Sequence, residues 1–192
     1  MAKIDKYLKL LFTWFLCQFL VAGNPVFASG PVHHQLKIEF EPDSLRIGVQ
    51  DRISLKTNGP NCKIYSFYLH GGMRLDRKEI SPDWILSSLN PVEGKPHLQK
   101  IVAEKNKVEN CPDELVFSLS YSGVLEDPFQ PKENSRKGVF YSGSDYFYPI
   151  NESKKGTVTF DMEISLPKLW ESVSQGKREK LKAPKGRNIV KW

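Results

Sequence analysis

The sequence predicts an all-β fold, an antiparallel β-sandwich, and three observations lead there. Apolar and polar residues alternate with a period of two along several runs of strand length. Gly, Pro, Asn and Asp stand between those runs, where a chain reverses direction. Helical spacing is scarce after the first 28 residues. Runs of this kind bury one face of each sheet and leave the other in water.

Ahead of the sandwich, residues 1–28 read as a signal-peptide helix. Lys3, Lys6 and Lys9 make a basic start that Asp5 only partly offsets, and Leu10 to Gly23 is almost wholly apolar. Asn24-Pro25 breaks the apolar run, and Val26 and Ala28 put compact side chains at the third and first positions before a cut after Ala28. The apolar stretch is shorter than the about 20 residues that span a bilayer. Cleavage is therefore expected, with an uncleaved anchor as the alternative. Residues 29–192 would be a single domain, periplasmic or extracellular, with no stable membrane span. Cys17 lacks the small neighbours that lipid attachment requires.

Cleavage removes three lysines and one aspartate, so the net charge falls from +6 to +4. The remaining excess sits in Lys168 to Lys191, which reads as a solvated terminal strand and loop. Nucleic acid is not an expected partner of an exported chain. Cys62 and Cys111 remain, and an even pair in an oxidising compartment reads as a disulfide. Such a bond stabilises by at most about 4 kcal/mol in the chain-entropy account.

Along the mature chain, Leu36-Lys37-Ile38-Glu39-Phe40-Glu41 alternates strictly, and Pro42-Asp43 makes the following turn. Leu45, Ile47 and Val49 continue the pattern, and Ile53 and Leu55 follow it. Cys62 to Leu69 is a further strand, closed by Gly71-Gly72. Ser81-Pro82 reads as the cap of a short helical turn bearing Trp84, Ile85 and Leu89. Leu98, Ile101 and Val102 have helical spacing, yet Ile101 and Ala103 alternate, and a strand is the reading adopted. Leu115, Phe117, Leu119 and Tyr121 form the next run, and Val158, Phe160, Met162, Ile164 and Leu166 the clearest one. Asn90 to Pro96 and Asp127 to Lys137 are polar loops, too short to link domains.

Catalytic motifs are absent from these 192 residues. None of His33, His34, His70 and His97 belongs to H-E-x-x-H, the helical spacing that brings two imidazoles and a glutamate base to zinc. His33-His34 reads as a polar N-terminal tail and His70 as a loop residue. Ser142-Gly143-Ser144 does not complete G-x-S-x-G, and there is no phosphate-binding glycine loop. The expectation is a non-catalytic chain with no metal and no cofactor.

One segment stands above this background. Phe140, Tyr141, Tyr146, Phe147 and Tyr148 fall within the stretch Gly138 to Pro149. Read functionally, Tyr146, Phe147 and Tyr148 form an interaction surface for glycan or protein. Read structurally, they are a strand and corner buried in the sandwich, and bulk of that kind is what a core requires.

The same segment resembles the pattern G-V-x-x-S-G-x-x-Y-x-Y-P of the N-terminal β domain in a bacterial branch of the aminopeptidase-N-like zinc metallopeptidases. Leu115 to Gly123, ending Leu-Ser-Tyr-Ser-Gly, resembles the strand before it. Thr157 to Gly176, with Ile164-Ser165-Leu166-Pro167 and Trp170 to Gly176, is similar to the strand and turn after it, and His34 to Leu55 is compatible with the first hairpin. The resemblance implies a saddle-like sandwich packed beside a thermolysin-like catalytic domain, in which the zinc ligands, the glutamate base and the exopeptidase glycines all reside. None of those positions exists in this sequence. Tyr146-Phe147-Tyr148-Pro149 stands where the better-known branch has its substrate-anchoring motif, so no substrate-binding residue carries over. The family domain would continue past Trp192, which implies a C-terminal truncation or a split gene, with a separate catalytic peptidase domain as partner. The competing expectation is an independent extracytoplasmic module that binds glycan or protein through residues 140–148.

Overall fold

The computed structural model describes residues 31–57, 64–76, 83–89, 92–106, 111–124, 141–152 and 157–192. The signal segment, Cys62 and Phe140 lie outside the described residues. Among the described residues eleven strands run in order: β1 (Val32–Glu41), β2 (Arg46–Lys56), β3 (Ile64–His70), β4 (Met73–Asp76), β5 (Trp84–Leu89), β6 (Leu98–Lys105), β7 (Glu114–Val124), β8 (Ile150–Asn151), β9 (Val158–Pro167), β10 (Glu179–Leu181) and β11 (Arg187–Lys191). They make a seven-stranded sheet, β10-β11-β9-β1-β2-β7-β4, and a four-stranded sheet, β5-β6-β3-β8.

The period of two does what it predicts. In β1 the inward positions are Val32, His34, Leu36, Ile38 and Phe40, and in β7 they are Leu115, Phe117, Leu119 and Tyr121. Tyr65, Phe67 and Leu69 of β3 come down from the smaller sheet to meet them, and Phe67 lies against Phe117 at a ring separation of 5.6 Å. Fully burying side chains of this size is worth about 1.5–3 kcal/mol each, and the closed inter-sheet layer is the main source of stability.

The antiparallel sandwich expected from sequence is present, and within it one pair, β1 with β9, runs parallel, with His34 opposite Phe160. Two sequence expectations are corrected. Residues 84–89 are a strand rather than a helical turn. Trp84 is buried against Phe117 at 4.9 Å while Ile85 faces water, and pairing with β6 fixes that alternation over the helical spacing. β2 carries Asp51 on its inward face. His34 belongs to the core, not to a polar tail.

Glycine matters most where β4 reaches β7. Met73 pairs with Gly123, and a Cβ on Gly123 would stand 2.1 Å from the Gly72 carbonyl oxygen. The backbones approach too closely there for any side chain. Among the described residues no helix is long and apolar enough to cross a membrane.

Candidate interaction site around residues 141–149

The aromatic segment is neither a strand nor a free ledge. It is an irregular crossing that joins the two sheets, built on a single 3-10 turn at Gly143–Asp145. Ser142 caps that turn: its hydroxyl accepts from the Ser144 N–H at 3.2 Å, and the Asp145 carboxylate accepts from the Ser142 N–H in return. Tyr146 then adopts the left-handed conformation, with φ of 52°. That reversal separates its ring from those of Phe147 and Tyr148. The Tyr146 carbonyl accepts from the His70 N–H at 2.9 Å, which fastens the crossing to the end of β3.

The three aromatic residues meet different surroundings. Tyr148 is 8% exposed and belongs to the core, so the contact surface expected from sequence excludes it. Its ring lies edge-on to Phe160 and to His34, at 4.9 and 5.3 Å. Phe147 is partly buried and packs on Tyr148 and Tyr141. Tyr146 is partly exposed, its ring edge-on to Tyr68 at 6.5 Å. Burial pushes the Tyr141 hydroxyl up to about 12, with the nearby Asp145 charge adding to it.

Beneath Tyr148 lies a polar pair that sequence reasoning missed. His34 is 1% exposed and Asp51 2%, and Nδ1 of His34 is hydrogen-bonded to Oδ2 of Asp51 at 2.8 Å. Oδ1 of Asp51 and the Tyr121 hydroxyl have no partner of good geometry. Burial raises the Asp51 carboxyl above its ordinary value, and the hydrogen bond and charge of His34 only partly oppose this. Tyr121 is raised well above its ordinary value, by burial first and by the Asp51 charge second. The legible signal was parity: Asp51 occupies the same face as Ile47, Val49, Ile53 and Leu55, and His34 the same face as Leu36 and Ile38.

On the outer side of the smaller sheet a second polar group surrounds Tyr68. Its hydroxyl donates to Oε1 of Glu152 at 3.0 Å, Lys100 pairs with Oε2 of Glu152 at 2.7 Å, and Lys95 stands 4.5 Å over the Tyr68 ring. Against the upward push of burial, the bonds from Lys100 and Tyr68 hold the Glu152 carboxyl below its usual value. His70 accepts the Gly72 N–H on Nδ1 at 3.0 Å, and burial together with the neighbouring His97 lowers its pKa. Through Nδ1 that side chain holds the tight turn at Gly71-Gly72.

No group of three or more His, Cys, Asp or Glu among the described residues is placed to hold a metal ion. The outer face of the larger sheet bears an open groove of about 500 Å³, lined by Lys37, Arg52, Asp161, Met162, Glu163 and Lys191 among others. It lies on the opposite side of the sheet from the aromatic crossing. Cys111 leads into β7, partly buried against the core, and it is not without a partner.

No family model matches the chain, and none of the curated proteins does. Solved structures do match. The M1 zinc metallopeptidase from Deinococcus radiodurans superposes with a TM-score of 0.59 at 14% identity, over 85% of this chain and 38% of that chain. A variant of that enzyme bound to a Tyr-Ser-Ala substrate gives a TM-score of 0.60 at 14% identity, over 83% of this chain and 37% of that one. Native yeast LTA4 hydrolase gives 0.55 at 11% identity, over 83% and 26% respectively. The chain therefore has a fold that occurs within M1 zinc metallopeptidases, and it spans 37–38% of the length of the Deinococcus enzyme.

Proposed function

We propose that this chain is the non-catalytic β-sandwich module of an M1-type peptidase, exported by the signal at residues 1–28 and packed beside a catalytic domain. The observation that carries the reading is the asymmetry of coverage: most of this chain superposes on 37–38% of the peptidase. The sequence supports it, because hydrolysis at zinc requires protein ligands, a metal-bound water and a base, and these 192 residues contain no H-E-x-x-H to supply them. The module's contribution is then positional. It presents the hydrogen-bonded crossing at 141–149, against which a catalytic domain and a peptide can be aligned. The module uses no cofactor of its own.

Two measurements test this together. The purified chain, incubated with zinc and an aminoacyl-p-nitroanilide, should give no turnover. Affinity capture from the exported fraction, with mass-spectrometric identification, should retrieve a polypeptide containing H-E-x-x-H. Metal-dependent peptide cleavage by the chain alone would overturn the proposal.

A further inference from the structure

Residues 168–192 leave two large apolar side chains almost wholly in water, and hold them there. Leu169 is 96% exposed and Val173 91%. The loop that bears them, between β9 and β10, is fastened on every side. The Lys168 N–H donates to the Gly186 carbonyl at 2.9 Å, and the Asn188 amide donates to the carbonyls of Lys168 and Trp170 at 2.8 and 3.1 Å. Arg178 pairs with Glu171 at 3.7 Å, and Trp192 Nε1 donates to the Ser172 hydroxyl at 3.2 Å. Trp170 turns inward and packs on the core. The outward direction of Leu169 and Val173 is thus set by the fold.

Charge identifies the class of occupant. Residues 168–191 contain eight Lys or Arg against two Glu. Both arginines are already engaged, Arg178 with Glu171 and Arg187 with Glu39 and Glu41. The other six, Lys168, Lys177, Lys180, Lys182, Lys185 and Lys191, are exposed lysines. Lysine is depleted from protein–protein interfaces, which argues against a protein partner on this face. Single-stranded nucleic acid would call for aromatic faces under its bases, and the indole of Trp170 is turned inward. Apolar tips with exposed lysines beside the loop and its anchor points, Lys168, Lys177 and Lys185, suit the boundary between acidic headgroups and acyl chains.

We propose that the Leu169–Val173 loop and the lysines around it form a peripheral attachment site for an anionic lipid bilayer. Leu169 and Val173 enter the acyl boundary while the lysine ammonium groups meet lipid phosphates. Two apolar side chains are a small anchor, so attachment is reversible and depends on the lysines. It needs no catalytic partner and stands apart from the function proposed above.

The test is co-sedimentation of the chain from residue 29 onward, which retains every described strand, with defined vesicles. Phosphatidylcholine vesicles containing about 30% phosphatidylglycerol should bind it, at least roughly tenfold more tightly than phosphatidylcholine alone, with affinity falling as salt rises. The Leu169→Ser/Val173→Ser double variant should lose about tenfold in affinity while keeping its thermal transition. Absence of binding to the anionic vesicles at low salt would overturn the proposal. So would binding that the double variant leaves unchanged, which would mark simple attraction to any polyanion, or capture of a protein partner that the double variant abolishes.

Discussion

At the scale of single residues, the His34–Asp51 pair is the feature with the clearest energetic consequence. A carboxyl raised by burial binds its proton more tightly in the folded chain than in the unfolded one. Its contribution to stability is therefore greatest at low pH and is lost as pH rises from the ordinary carboxylate value through the raised one. Asp51→Asn removes that titration. Urea unfolding of the two proteins between about pH 4 and 7 should show the wild type losing stability relative to Asp51→Asn as pH rises. A difference that stays constant over that range would contradict the assignment. Period-two alternation tells inside from outside without regard to residue type, so parity alone already placed Asp51 among Ile47, Val49, Ile53 and Leu55. Asp51 was not among the inward residues expected from sequence. Pairing itself was not legible, because His34 and Asp51 approach through the register of β1 on β2.

At the scale of elements, the strands with clean alternation were legible and those whose neighbours decide them were not. β1 and β7 follow directly from their patterns, since each buries one face, and β9 forms where its alternation predicts although only Leu166 of it is buried. Residues 84–89 carry a helix-like spacing that pairing with β6 overrides, and the 141–149 crossing takes its shape from a capped turn and from Tyr146 in the left-handed region. Neither leaves a periodic trace. The join of β4 to β7 depends on the absence of a side chain at Gly123. Gly123→Ala should lower the thermal midpoint sharply, because the added methyl meets backbone, which cannot rotate away. Gly48→Ala, on the neighbouring strand with only an ordinary contact at 4.0 Å, is the control that should be mild. Equal midpoints for the two variants would show that β4 does not dock as described.

At the scale of the whole molecule, a Cys62–Cys111 bridge would join the segments entering β3 and β7, one strand from each sheet. It would work as a staple across the sandwich. Non-reducing peptide mapping should recover the two cysteines in one linked peptide, and reduction should lower stability by up to about 4 kcal/mol. Recovery of both as free thiols would remove the staple. The likeness to M1 peptidases likewise belongs to this scale, since it rests on strand order and shape at 11–14% identity.

The parallel pairing of β1 with β9 also sets a timetable. β1 is the first strand described, yet it sits inside the seven-stranded sheet, flanked by β2 from the next stretch of chain and by β9 from far beyond. A chain that emerges from its N-terminus, whether from a ribosome or through a membrane pore, delivers β1 and β2 early as a hairpin. One edge of that hairpin then stays unpaired until Val158–Pro167 has appeared. Closure must wait for the most distant contact in the sheet, so folding is slow, and the waiting edge, with Leu36, Ile38 and Phe40 on one face, is open to wrong partners throughout. A chaperone that covers an extended apolar strand would have its longest task here, at the strand made first and finished last.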